Sequence, residues 1–317
     1  MKPVRPRLGI SSCLLGEPVR YDGSHKRDRW ISATLANYVD FVPLCPEMAI
    51  GLGAPRPPIR IFGDLGNERV IGADDPKLDV TEALETHARI MAGKLPDISG
   101  YIFKHGSPSC GMAKVRRYPT NHAPPNRDAQ GRYAGVLMEA LPLLPTEEEG
   151  RLNDPALRDN FIERVFTYQR WQQLIRGGIT PQGLVDFHTQ HKYLIMAHGV
   201  APYRVLGRLV SQAGATPLTE TATSYITRLM PALKNPASRK GHANVLEHLQ
   251  GFLKKNINRA DKQEMAELIQ RYRRGQVPLV VPLTLLKHHL RKHPHDWVAN
   301  QVYLEPHPSE MMLRNRV

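Results

Sequence analysis

Cys13, Cys45 and Cys110 are the only cysteines in a chain of 317 residues, and each stands just past a short apolar run. Cys13 follows Leu8-Gly9-Ile10-Ser11-Ser12, and Cys45 follows Val39-Asp40-Phe41-Val42-Pro43-Leu44. Cys110 follows Tyr101-Ile102-Phe103-Lys104 through the turn Gly106-Ser107-Pro108-Ser109. Three thiols are one short of the four donors of a closed structural site, so a metal centre they held would keep a position open for substrate or water. Sulfur donors without nearby histidine suit an iron–sulfur cluster or zinc rather than a hard cation. Three buried, unreactive thiols in a reducing compartment fit the same spacing. A disulfide framework is not expected, because three cysteines cannot all pair and the second half has none.

Glu47, two residues after Cys45, is either a proton-transfer group beside the thiols or a solvated carboxylate. Ser107 and Ser109 flank Pro108 and either present hydroxyls to the site or shape a turn.

To act together, thiols 32 and 65 residues apart in sequence must be brought to one place. Short runs with β-branched or aromatic residues, separated by helical stretches, read as strands of a parallel sheet buried on both faces. Ligands of such sheets bind beyond the carboxyl ends of the strands, which is where all three cysteines fall. Pro46 favours extended backbone at Cys45. A helix is expected over about Trp30–Tyr38, and a hairpin from Ile59–Phe62 and Arg69–Ile71. Asp79 and Glu82 suggest a capping box before a helix striped by Val80, Leu84, Ala88, Met91 and Leu95. The basic, proline-containing stretch to Arg132 has no assigned element, and Tyr133–Ala140 reads as a strand or a helix start. Thr146-Glu147-Glu148-Glu149-Gly150 reads as uncommitted polar chain, so the boundary is set within Pro142–Asn153. That gives domains 1–148 and 149–317, a Rossmann-like α/β domain with a mostly parallel sheet followed by an all-α domain.

The second half is helical in pattern. Asp154-Pro155 starts a helix and Gly177-Gly178 stops it. Val245, Leu249, Phe252, Leu253 and Ile257 share a stripe, Asp261 and Glu264 suggest another capping box, and a last helix begins near Pro282. Pro231 should end or kink its helix. His188, His191 and His198 invite a zinc site, but the apolar stripe beside His191 favours a hydrogen-bonded core residue.

Charge divides the chain unevenly. Residues 1–150 carry 19 Lys and Arg against 18 Asp and Glu, while residues 151–317 carry 24 against 12. A net +12 on the second half implies a polyanion, nucleic acid before an anionic membrane surface. Lys254, Lys255, Arg271, Arg273, Arg274, Lys287 and His288 are the candidates for that contact; any one of them alone reads sooner as a solvated helix face. No run reaches the roughly 20 apolar residues of a membrane span, and the first residues lack the apolar core of a signal peptide. A cytoplasmic protein is expected.

Two sets of blocks carry a resemblance. Ser12-Cys13-Leu14-Leu15-Gly16, Val19-Arg20-Tyr21-Asp22-Gly23, Cys45-Pro46-Glu47, Gly51-Leu52, Pro55-Arg56, Phe103-Lys104 and Ser107-Pro108-Ser109-Cys110-Gly111 resemble the TudS thiouracil desulfidase domain family. Phe187-His188, His191-Lys192-Tyr193, Met196-Ala197-His198, Asn244-Val245-Leu246 and Pro278-Leu279 through Lys287-His288 resemble the YbgA-like domain family. The first resemblance implies a desulfidase in which Cys13, Cys45 and Cys110 bind a 4Fe-4S cluster with one iron free of protein ligand. In it Glu47 shuttles protons and Ser107 positions water or donates to the ring. Ser12 and Ser109 are expected to donate to sulfur, and Arg56 to lie near the cluster or substrate. The fusion implies 4-thiouridine in transfer RNA as substrate, converted to uridine without redox change, nicotinamide or flavin, and with no obligate protein partner. Free thiouracil or a thionucleoside is the second substrate reading. A nucleic-acid-binding protein with a structural or sensing cluster is the third.

Overall fold

The computed structural model describes residues 4–121 and 123–315. The chain divides into two compact units, Met1–Asn153 and Asp154–Val317. The first runs β1 (Arg7–Ser11), α1 (Arg29–Ala33), β2 (Asp40–Leu44), α2 (Pro46–Ala49), β3 (Ile59–Phe62), β4 (Arg69–Gly72), α3 (Thr81–Lys94), β5 (Ile98–Phe103), β6 (Val115–Tyr118), β7 (Asn126–Ala129), α4 (Arg132–Ala140) and β8 (Thr146–Glu148).

Four strands form one parallel sheet in the order β2-β1-β5-β8. Its centre is fully apolar, with Leu8, Ile10, Tyr101, Ile102 and Phe103 all at 0% exposure. The close fit there depends on Gly9, where a Cβ would stand 2.3 Å from the ring of Tyr101. Because β1, β2 and β5 are adjacent and parallel, their carboxyl ends deliver Cys13, Cys45 and the loop to Cys110 to one edge, as the apolar runs predicted.

The segment read as uncommitted polar chain is a strand instead. Thr146–Glu148 forms the edge strand β8, paired through Tyr101↔Thr146 and Phe103↔Glu148, with Glu147 and Glu148 buried. Polar composition concealed it: Glu147 pairs with Arg151 four residues on, and Glu148 is satisfied by Met112 N and His105, far away in sequence. The stretch beyond Gly111 likewise supplies β6 and β7, which join β3 and β4 in a second sheet ordered β4-β3-β6-β7. The hairpin of β3 and β4 is antiparallel, in the register Ile59↔Gly72. The capping box expected ahead of α3 does not form: Asp79 Oδ1 accepts from Thr81 N at 2.9 Å, and its carboxylate pairs with Arg69. The helix expected over Trp30–Tyr38 is shorter, giving way after Ala33 to a 3-10 turn at Leu35–Asn37.

The second unit is helical: α5 (Pro155–Arg176), α6 (Pro181–His198), α7 (Val200–Ser211), α8 (Leu218–Ala232), α9 (Arg239–Leu253), α10 (Arg259–Arg273), α11 (Val280–Lys292) and α12 (Asp296–Ala299). Asp154 caps α5, its side chain accepting from Ala156 N and Leu157 N. Asn258, not Asp261, caps α10. α8 carries Pro231 in its last turn and ends one residue later. The core joins α6, α9, α10 and α11 through Tyr193, Leu246, Leu249, Ile269, Leu279 and Leu286. α5 is buried around much of its circumference, and its buried carboxylates are paired: Asp159 with His307 at 2.7 Å, Glu163 with His198 at 2.6 Å. No described helix is long and apolar enough to cross a membrane.

Candidate active site

Beyond the carboxyl ends of β1, β2 and β5 lies a cavity of about 420 Å³ whose lining includes Cys13, Cys45, Cys110, Glu47, Arg56 and Ser107. The three thiols are free. Each is positioned by a different local device. Cys13 sits in a 3-10 turn directly after β1, its carbonyl accepting from Lys26 N at 2.9 Å. Cys45 occupies the extended N-cap position of α2 ahead of Pro46. Cys110 closes the turn after β5, where its own N–H and that of Ser109 both point at Ser107 Oγ, at 3.2 and 3.3 Å.

That turn is braced from two sides. Arg132 N and Ala134 N, in the first turn of α4, donate to the carbonyls of Pro108 and Ser109, and Gly131 N donates to Gly111 O at 2.7 Å. A Cβ at Gly131 would stand 2.6 Å from Gly111 N, so only glycine allows this approach. From β8, Glu148 accepts from Met112 N at 2.7 Å and contacts His105 Nδ1 at 2.8 Å. Glu149 accepts from His105 N at 2.8 Å and pairs with Lys104. Sequence reasoning missed these carboxylates, since no local signal links them to a loop some 40 residues earlier.

Glu47 is held at both oxygens. Oε2 receives Arg56, with Nε at 3.0 Å, and Oε1 accepts from the hydroxyl of Ser109, with Ser107 Oγ at 3.5 Å. The two serine hydroxyls are 2.9 Å apart, so Glu47, Ser109 and Ser107 form a hydrogen-bonded chain that ends at the cavity. Arg56 is almost fully buried and also donates to Val19 O at 2.9 Å. Ser109 contacts Cys110 Sγ at 3.6 Å, and Ser12 lines the cavity. Ser11, which sequence reasoning passed over, lines it too, and its hydroxyl accepts from Lys104 N at 3.0 Å.

Burial dominates the thiols. It pushes Cys13 up to about 11, against the opposing cation of Lys104. Cys45 and Cys110 are raised by burial as well. Neutral thiols are therefore favoured unless a cationic centre joins them, and a coordinated thiol is deprotonated outright. No three of the described His, Cys, Asp and Glu side chains converge on a single ion. Three thiols lining one cavity are soft donors that suit an iron–sulfur centre or zinc rather than a hard cation.

In the helical unit the three histidines face separate partners. His188 Nδ1 lies 3.1 Å from Tyr225 OH, His191 Nδ1 lies 2.7 Å from Phe187 O, and His198 contacts Glu163 and Asn235 O. They do not form a metal site among the described residues. Lys254 and Lys255 are exposed just beyond α9, and Arg271, Arg273 and Arg274 are exposed at the end of α10, where cations complement the helix dipole. Lys287 pairs with Glu305 at 2.7 Å, while His288 is exposed beside His289.

Residues 8–149 match the family model described as 2-thiouracil desulfurase, and residues 192–308 match that described as a protein of unknown function, DUF1722. The Escherichia coli (strain K12) protein YbgA is 34% identical over 158 residues, 50% of this chain and 94% of that protein. The Bacillus subtilis (strain 168) protein YbbK is 36% identical over 114 residues, 33% of this chain and 74% of that protein. A solved structure titled as the 4Fe-4S-dependent thiouracil desulfidase TudS is 30% identical, covers 47% of this chain and 95% of its own, and superposes with a TM-score of 0.39. The chain thus belongs to the families of YbgA and YbbK, with a TudS-like, cysteine-bearing α/β domain that matches the 2-thiouracil desulfurase model fused to a YbgA-like helical domain.

Proposed function

We propose that the α/β unit is an iron–sulfur desulfidase and that its substrate is 4-thiouridine within transfer RNA, converted to uridine with release of sulfide. The observation that carries the reading is the convergence of three free thiols and the Glu47–Ser109–Ser107 chain on one cavity. Cys13, Cys45 and Cys110 would hold a 4Fe-4S cluster. When bound, a cluster with one iron lacking a protein ligand supplies a Lewis acid suited to a soft thiocarbonyl sulfur.

The chain's own residues account for the protons. Net conversion of C=S and water to C=O and hydrogen sulfide moves protons but no electrons. Arg56 anchors Oε2 of Glu47 and leaves Oε1 directed at the serine hydroxyls. Glu47 accepts a proton from the attacking water and returns it toward the departing sulfur or the ring nitrogen. Ser107, at the cavity wall, passes that proton or orients the water. The TudS relative is named for thiouracil, which supports a second reading in which the free base is the substrate.

The +12 charge of residues 151–317 supports RNA as the bound form, with Lys254, Lys255, Arg271, Arg273, Arg274 and His288 as exposed contacts. Rates on thiolated transfer RNA and on free thiouracil, measured anaerobically across a salt series, separate the two. The RNA reading requires kcat/KM on RNA to exceed that on the base and to fall steeply with salt. Equal rates with no salt dependence would leave the free base as substrate.

A further inference from the structure

The α/β unit is nearly neutral, yet its arginines are not evenly spread. In the second sheet, Ile61, Val70, Val115 and Arg117 are buried on one face. Strand alternation puts Arg60 and Phe62 of β3, Arg116 and Tyr118 of β6, Arg69 of β4 and Arg127 of β7 on the other, with Ile71 of β4, opposite Arg60, buried so that the open part of this face lies toward β6 and β7. The registers confirm the grouping: Phe62 pairs with Tyr118 and with Arg69, and Arg116 pairs with Arg127. Arg69, Arg116 and Arg127 are exposed, and Arg60, Phe62 and Tyr118 half-buried.

Several features mark this face as made for an anion with planar rings. The Arg60 guanidinium lies over Tyr118 at 5.2 Å and over Phe62 at 5.8 Å, and its Nε is buried with no hydrogen-bond partner among the described residues. Like charges directly opposite one another in a sheet are destabilising, so the Arg116–Arg127 pair carries a repulsion that nothing in the sheet relieves. Asp128 binds Arg117, the buried arginine of the opposite face, while Asp79 neutralises Arg69 on this one, which leaves Arg116 and Arg127 as its free charges. Arg116 and Arg127 have no ion-pair partner among the described residues. Finally, β3 starts at the cavity, whose wall includes Pro58 and Ile59.

We propose that this face is a docking surface for single-stranded RNA, its phosphates on Arg116 and Arg127 and its bases on the Phe62–Tyr118 pair. Aromatic rings with interleaved arginines on a sheet suit unpaired bases, which stack without regard to sequence. A strand lying along β3 would lead a base toward the cavity, so the α/β unit would hold its own substrate segment in addition to any grip by the helical unit. The inference rests on RNA being the substrate, but its test does not depend on desulfidation.

Binding of a sulfur-free, fluorescently labelled oligouridylate to the full chain is followed by anisotropy over a salt series. The exposed pair Arg116→Gln/Arg127→Gln should bind at least tenfold more weakly, with the slope of log K against log salt shallower by about 1.4, two single-strand contacts' worth. Tyr118→Leu should weaken binding about tenfold while leaving the slope unchanged, because it removes stacking and no charge. Melting curves check that each variant folds; if Tyr118→Leu does not, the exposed arginine pair decides alone. Affinity and slope unchanged in that pair would overturn the proposal. Loss of binding there in a protein that releases no sulfide from thiolated RNA would uphold the docking surface and sink the activity instead.

Discussion

Glu47 is the residue on which the chemistry turns, because it alone links a buried cation, two hydroxyls and the cavity. Its fork with Arg56 is nearly dry, with side-chain exposures of 12% and 4%, so the carboxylate cannot swing away without stranding a buried guanidinium. Glu47→Gln keeps the shape and removes the proton acceptor. Turnover should fall about 10²- to 10⁴-fold with iron content unchanged, as steady-state rates beside iron analysis would show. Equal activity in the variant would remove Glu47 from the proton path. Cysteines and glutamate were legible at this scale because a residue type used only three times, each time after a strand-like run, stands out. Ser11, Glu148 in β8 and Glu149 just beyond it were not. Their roles come from contacts 93, 36 and 44 residues distant, at Lys104, Met112 and His105, which spacing does not encode.

Among the elements, β8 does more than close the sheet. Parallel pairing with β5 sets Glu148 against Met112 N and His105, fixing the loop that carries Cys110. Glu148→Ala would leave a partly buried amide without its acceptor, a cost of about 1–3 kcal/mol localised to the cysteine loop. Anaerobically purified variant should retain its far-UV circular dichroism but hold less iron per chain and lose it faster to a chelator. Iron retention equal to the unmodified protein would show that α4 and Glu149 hold the loop without Glu148. The parallel strands were readable from their continuous apolar runs. β6, β7 and β8 were not, because an edge strand or a small sheet half open to solvent carries the charged, proline-punctuated composition of a loop.

For the whole molecule, acid should act first on the helical unit. Burial holds His188 at about 4, and His191 and His242 at about 3, so all three are neutral when folded. Below about pH 6.5 the unfolded chain takes up protons that the folded chain excludes, and stability falls with decreasing pH, each histidine contributing up to about 1.4 kcal/mol per pH unit. Burial alone would raise Asp159 and Glu163, but hydrogen bonds from His307 and His198 bring both below their ordinary values. Their stabilisation is present above the unfolded carboxylate range and lost as pH falls through the folded values, so it adds to the same trend. Urea unfolding at pH 7 and pH 5 should show the loss, and His191→Phe should flatten it by about one proton. A flat profile between those values would mean that these histidines titrate normally.

The central claim is tested most directly by iron and acid-labile sulfide assayed on anaerobically purified protein, alongside sulfide release from transfer RNA bearing 4-thiouridine. The account predicts a brown protein with about four irons and four sulfides per chain, and activity that disappears when Cys13, Cys45 or Cys110 is replaced by serine. A colourless protein that holds zinc, or no metal, and releases sulfide at full rate would contradict it.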